Sequence, residues 1–328
     1  MDDFRTIINL EKHKEQISYK NNIMILGSCF TENIGIKLQN LLFKTDINPF
    51  GVIYNPISVA NSLQILINKK AFINSDLKQN NELWFSFFHH GRFSNTNKNR
   101  CLKNINERIK TSSNFLNNTD YLFITFGTSW VYELKETGKV VSNCHKLPKT
   151  NFKRKLLSVE EIVVEYQNLI KELKNYNPNI KIVFTISPVR HLKDGAEQNN
   201  LSKSILKIAI NKLVENNNNT SYFPAYEIMM DDLRDYRFYD NDMLHPNLLA
   251  INYIWNKFSD VFFNNETLGI ITEIKNPIKA KEHRPYNPKS KNHKKFIEAQ
   301  LKKIKALNKK YPFIDTHILE LYFKKQIG

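Results

Sequence analysis

The sequence predicts an α/β domain on a mainly parallel sheet, and three observations carry that expectation. Ile23–Leu26, Tyr121–Phe126 and Ile180–Ile186 are short apolar runs that stop abruptly at small or turn-forming residues, as strands buried on both faces do. The segments between them place apolar residues at helical spacing, so strands and helices alternate. Alternation at these lengths implies parallel pairing through right-handed crossovers.

Residues 1–20 are polar and read as an edge or arm, and the opening Met-Asp-Asp-Phe-Arg lacks the basic-then-apolar order of a secretory signal. The strand Asn22–Leu26 ends at Gly27-Ser28, and Thr31–Leu42 follows as a helix with Ile34, Leu38 and Leu41 on one face. Asn48-Pro49 and Gly51 mark a turn-rich strand exit. Asn55-Pro56 opens a helix whose apolar face runs through Val59, Leu63, Leu66 and Ile67. Trp84–His90 is an aromatic, strand-like patch, and a polar helix spans roughly 98–116. Past Tyr121–Phe126 and Gly127-Thr-Ser-Trp130, the flanks of Glu136-Thr-Gly138 read as a β-hairpin that delivers Asn143-Cys-His-Lys146. Ser158-Val-Glu-Glu161 is a capping box opening a helix to about Lys174. After Ser187-Pro-Val-Arg-His191 come a helix near 201–215, a short strand at Ser221–Pro224, the acidic turn Asp231–Asp242, His245-Pro246, and a helix from about Leu248 to Phe262. No internal repeat is visible.

With 328 residues, 41% of them hydrophobic, the chain can bury a sizeable core, and no run approaches the length of a membrane helix. Three cysteines (Cys29, Cys101, Cys144) without metal-type spacing point to reduced thiols in a cytoplasmic setting rather than a disulfide framework. The net charge of +16 is uneven: residues 271–328 hold 15 Lys or Arg against 5 Asp or Glu. Such a tail can favour anionic surfaces. Phe296, Ile297, Leu301 and Ile304 share one side of Lys291–Lys310, however, so a solvated amphipathic helix is the preferred reading and nucleic acid is not the expected partner.

Ser28 stands at a strand-to-helix turn on the carboxyl end of its strand, where ligands collect in open α/β sheets and the helix dipole favours negative charge. The plainer reading makes it an N-cap. Asp242-Met-Leu-His245 places a carboxylate three residues before a histidine, which suits a base held by one ring nitrogen and free at the other; a structural hydrogen bond explains the same spacing.

A serine first, two glycine turns, and an Asp-x-x-His last resembles the order of the SGNH (GDSL-type) hydrolases. More narrowly, Gly27-Ser28-Cys29-Phe30-Thr31 is similar to the signature of the GSCFA family. Asn48-Pro-Phe-Gly-Val-Ile-Tyr-Asn-Pro56, Asn143-Cys-His-Lys146, Ser187-Pro-Val-Arg-His191, Asp235-Tyr-Arg-Phe-Tyr239, Asp242-Met-Leu-His-Pro246 and, in the tail, His283-Arg-Pro-Tyr-Asn-Pro288 resemble it too. The resemblance implies Ser28 as nucleophile, His245 as base and Asp242 as its orienting acid. It implies an oxyanion hole from the Ser28 and Gly51 N–H groups together with Gly127 and Ser129. The superfamily's Asp before the serine is Gly27 here, and its oxyanion Asn is Ser129, so Ser129→Asn is expected to speed turnover and Asn143 is a candidate substitute.

Asn48, Asn143, His145, Arg190 and His191 are expected to contact substrate, Arg190 suiting an anionic group. His89, His90, His145, His191 and Cys144 match no metal-ligand spacing, so neither metal nor cofactor is expected. Cys29 is a rival nucleophile, with a buried structural role preferred. The resulting expectation is a three-layer α/β/α flavodoxin-like domain over residues 1–265 with a hairpin insertion, followed by a basic helical extension over 266–328. Its activity would be serine-dependent hydrolysis of an ester or acyl group, carbohydrate-linked in one version. An acyltransferase using the same site, or a non-catalytic binding protein with a basic tail, are the alternatives.

Overall fold

The computed structural model describes residues 6–326; the first five residues, read above for a signal, lie outside them. In chain order the elements are β1 (Asn22–Gly27), α1 (Cys29–Asn40), β2 (Lys44–Ile47), α2 (Pro56–Ile67), β3 (Lys78–Asn80), β4 (Leu83–Phe85), α3 (Lys98–Asn117) and β5 (Tyr121–Phe126). There follow β6 (Trp130–Leu134), β7 (Val140–Val141), β8 (Phe152–Leu156), α4 (Val159–Tyr176), β9 (Lys181–Ile186), α5 (Ala196–Glu215), β10 (Thr220–Phe223) and the short α6 (Ala225–Glu227). The chain closes with α7 (Leu248–Phe262), α8 (Asn265–Glu282), α9 (Lys291–Lys310) and α10 (His317–Lys324).

The central sheet has the order β10-β9-β5-β1-β2, with β1–β5, β5–β9 and β9–β10 parallel. Taking its five strands in chain order, this is the flavodoxin-like arrangement, in which the order reverses beside the first strand. Met24, Leu26, Leu122, Ile124, Phe126, Ile182, Phe184 and Ile186 share one core cluster with the apolar faces of α2, α3, α4 and α5. The alternate positions Ile23, Ile25, Tyr121, Phe123 and Val183 are equally buried on the opposite face, which is why these strands read as unbroken apolar runs. Asn55 caps α2 ahead of Pro56, and the Ser158/Glu161 capping box opens α4, as their sequences require.

Differences from the sequence reading are local. The aromatic patch is a strand only over Leu83–Phe85, paired antiparallel with β3, before it breaks into turns. The hairpin β6–β7 gains a third strand, β8, whose lysine- and arginine-rich sequence hides it. Helix α5 starts at Ala196, earlier than its apolar periodicity begins.

By internal packing the chain forms two units. One takes Asn22–Gly35 and Asp46–Trp255 with the described residues before Leu10; the other takes Leu10–Asn21, Ile36–Thr45 and the chain from Asn256 onward. Within the second, Tyr19 stacks on Phe43 at 4.2 Å, and Ile17 bridges to Phe263. Ile297 and Ile304 of α9 pack with Leu319 and Phe323 of α10, so the lysines of α9 ring a buried stripe. Among the described residues no helix is long and apolar enough to cross a membrane.

His89 is 1% exposed, with its ring 4.7 Å from Phe50 and 5.1 Å from both Phe72 and Phe93, and neither nitrogen has a partner among the described residues. Burial, and then the neighbouring His145, push its pKa from 6.5 down to about 3. Below 6.5 the unfolded chain therefore takes up a proton that the fold refuses, and stability must fall as pH drops. Urea unfolding should show a loss on the order of 2 kcal/mol between about pH 7 and pH 5 from this group. His89→Phe should flatten that slope; an unchanged slope would mean that other groups govern it.

Candidate active site

The register Leu26↔Ile124, Gly27↔Thr125 and Thr125↔Thr185 brings the carboxyl ends of β1, β5 and β9 side by side. Ser28, Gly127 and Ser187 are the residues that leave those ends, with Ser28 at the point where strand order reverses. Gly27 has φ +137°, and a Cβ there would collide with the carbonyl oxygen of Thr125. No side chain fits at this position, which explains the missing Asp before the serine. Asn48 fixes the turn: its Oδ1 accepts the Gly27 N–H at 2.9 Å, while its own N–H donates to Ile25 O at 2.8 Å.

Ser28 is 1% exposed. Its carbonyl accepts the Thr31 N–H at 2.9 Å, whereas its Oγ has no hydrogen-bond partner among the described residues. The hydroxyl is thus not spent on capping α1. Ser28 borders a cavity of about 290 Å³ whose wall also includes Cys29, Tyr54, Gly127, Arg190, His191 and His245.

His245 is held from one side. Asp242 Oδ1 accepts the N–H groups of Leu244 and His245 at 2.8 and 2.9 Å, and Asp242 Oδ2 lies 2.6 Å from His245 Nδ1. Those two main-chain donors and then the ring hold the Asp242 carboxyl down to about 2. Met243, with φ +57°, makes the turn that folds the pair together. The Arg190 N–H donates to Leu244 O at 3.1 Å, tying the loop after β9 to the Asp-x-x-His loop.

Arg190 and His191 line the cavity as expected. Burial lowers the His191 pKa, with Arg154 acting in the same direction, and its buried Nδ1 has no partner among the described residues. It lacks the bonded carboxylate that orients His245. Cys29 also lines the cavity, but burial pushes its thiol up, leaving it a poor nucleophile at neutral pH.

Other expected site residues are placed elsewhere. The Gly51 N–H is already donated to Asn48 O at 2.8 Å, and Gly51 does not border the cavity. Gly127 does border it, with its N–H donated to Tyr54 O at 2.7 Å. Ser129 is wholly buried against α5: its N–H donates to Ser202 Oγ at 2.8 Å, and its hydroxyl sits 3.0 Å from the same oxygen. His145 belongs to the aromatic insertion, stacked 4.1 Å from Phe85 with Nε2 2.9 Å from Ser86 O, and Asn143 Oδ1 accepts the His145 N–H. Among the described residues no three His, Cys, Asp or Glu side chains converge as metal ligands.

One residue escaped the sequence reading. Lys203 is 3% exposed, and its Nζ donates to Gly127 O at 2.8 Å and Ser187 O at 2.7 Å, clamping the ends of β5 and β9. Burial draws its pKa down to about 7, with Cys29 opposing. The signal was a lysine at the head of the stripe Leu206, Ile210, Leu213, where a core residue belongs.

The position of Ser129 reverses the expectation for its replacement. Ser129→Asn must force an amide into a filled site, costing roughly 1–3 kcal/mol. Thermal melts should show the loss, and a faster variant of unchanged stability would contradict this placement.

Comparison with solved structures finds a carbohydrate esterase family 3 protein from Talaromyces cellulolyticus at 10% identity and TM-score 0.36, covering 78% of this chain and 99% of that one. It also finds an acetyl xylan esterase from the rumen bacterium Butyrivibrio proteoclasticus at 13% identity and TM-score 0.39, covering 77% and 66%. Comparison with curated proteins finds no match. The GSCFA family model matches residues 22–258, from β1 through the Asp-x-x-His loop into α7, and the GSCFA C-terminal domain model matches 278–328. The chain belongs to the GSCFA family.

Proposed function

We propose that this protein hydrolyses esters through Ser28, with His245 as general base and Asp242 holding its ring. The observation that carries the reading is that Ser28, whose buried Oγ has no hydrogen-bond partner among the described residues, borders the same cavity as His245, with His245 Nδ1 anchored to Asp242. Anchoring Nδ1 leaves Nε2 to take the serine proton. Ser28 Oγ attacks the ester carbonyl, the alkoxide leaves with the proton from His245, and a water activated by the same ring releases the acyl group.

In this reading the oxyanion is met by N–H groups at the start of α1, where the helix dipole adds positive potential. Asn48 holds the turn beneath these groups through its Oδ1, which accepts the Gly27 N–H, and like Gly51 it does not border the cavity.

A fluorophosphonate probe should label Ser28, as located by mass spectrometry, and Ser28→Ala should not react. Labelling of Cys29 instead, or none in folded protein, would overturn the assignment. On an activated aryl ester His245→Ala should cost at least about 10³ in kcat, the scale of a lost triad member. Asn48→Ala, which leaves the buried Gly27 N–H without its acceptor, should cost roughly 1–3 kcal/mol of stability in thermal melts.

A further inference from the structure

Arg190 also lines a second cavity, of about 870 Å³. Its wall includes Lys203, Lys207, Tyr226, Tyr236 and Tyr239. The two cavities share more than Arg190: Lys203 borders the larger one, and its Nζ donates to the carbonyls of Gly127 and Ser187, residues that border the smaller.

In this wall Arg190, Lys203, Lys207 and Arg234 stand against Glu227 and Asp235, the latter 3.7 Å from Arg237, so positive charge is in excess. Lys207 is paired with Glu227 at 2.6 Å, and Arg234 with Asp231 at 2.5 Å. Arg190 and Lys203 have no carboxylate in ion-pair range among the described residues. Arg190 instead lies among tyrosines, its guanidinium carbon 4.4 Å from the Tyr239 centroid and 5.3 Å from that of Tyr236, while Lys203 lies 5.5 Å from the Tyr226 ring. A guanidinium held by aromatic neighbours and lacking a carboxylate partner can donate its N–H groups to a carboxylate or phosphate. A buried ammonium held only by two neutral carbonyls is costly to maintain, and an anion beside it offsets that cost. Tyr226, Tyr236 and Tyr239 bring apolar rings with hydroxyl tips to the wall, the kind of mixed surface a sugar meets. The volume falls in the range of small-ligand sites.

We propose that this cavity binds the acidic sugar portion of the substrate, so that the ester cleaved at Ser28 belongs to a carbohydrate bearing a carboxylate or phosphate. The sugar hydroxyl is the leaving group, taking its proton from His245 as the acyl group passes to Ser28. The cleavage rests on the ester-hydrolase reading, whereas the binding does not. Arg190, reaching both cavities, couples the anion to the position of the ester.

The test separates the two. Full-length Ser28→Ala protein, which cannot turn over, is titrated calorimetrically with glucuronate, glucose 6-phosphate and glucose. At least one acid sugar should bind more than about 10-fold tighter than glucose, and a further Arg190→Gln change should remove most of that advantage, one lost charged contact being worth that much. Arg190→Lys, keeping charge without the planar fork, should recover only part of it. Glucuronate against glucose 6-phosphate then tells carboxylate from phosphate. Equal binding of all three, or no binding up to about 10 mM, overturns the proposal. In the wild-type protein, O-acetyl glucuronate should be cleaved with kcat/KM more than about 10-fold above O-acetyl glucose. Acid-sugar binding with no cleavage of either ester or of an aryl acetate would reject the reading of Ser28 and leave the binding site standing.

Discussion

The contact between Gly27 and the Thr125 carbonyl is the constraint on which the rest of the site depends. Two parallel backbones meet there so closely that no β-carbon fits, and the order of the sheet reverses at the same place. That closeness lets Ser28 leave the sheet directly beside Gly127 and Ser187. A bulkier residue would spread β1 from β5 and carry the serine away from the loops that complete its cavity. The family signature beginning with glycine therefore describes a packing requirement before it describes chemistry.

Main-chain groups at these strand ends are consumed by structure to an unusual degree. Gly27, Gly51 and Gly127 all donate their N–H groups within the scaffold, to Asn48 Oδ1, Asn48 O and Tyr54 O. A glycine in a loop at the right sheet edge is consequently not a free oxyanion donor. Asn48 is the hub of this scaffold, its Oδ1 holding the Gly27 N–H and its carbonyl the Gly51 N–H. Positive potential comes from the start of α1 and from Lys203 behind the strand ends, while the carboxylate that orients the base, Asp242, is half-exposed.

The aromatic insertion shows how polar residues in a memorable motif can be scaffolding. His145 and Asn143 satisfy each other and the main chain, and His89 is sealed in neutral form among phenylalanines. Imidazole here works as a flat ring that fills space, and its cost appears as sensitivity to acid.

The sequence by itself determined the buried strands, the helix starts at Asn55 and Ser158, and the pairing of Asp242 with His245, because each rests on neighbours within a few residues. It determined that Ser28 ends a strand, and family membership followed from residues in fixed order. Only the tertiary structure decided which candidates share a cavity. Gly51, Ser129, Asn143 and His145 had the right residue types near strand ends, yet their hydrogen bonds go to partners that no local pattern reveals, such as Ser202 on α5 for Ser129. Lys203 illustrates the converse: in sequence it is one lysine among many, and only the closure of β5 against β9 gives it two carbonyls and removes it from water. Local pattern sets where a side chain starts; the long-range register of the sheet sets what it meets.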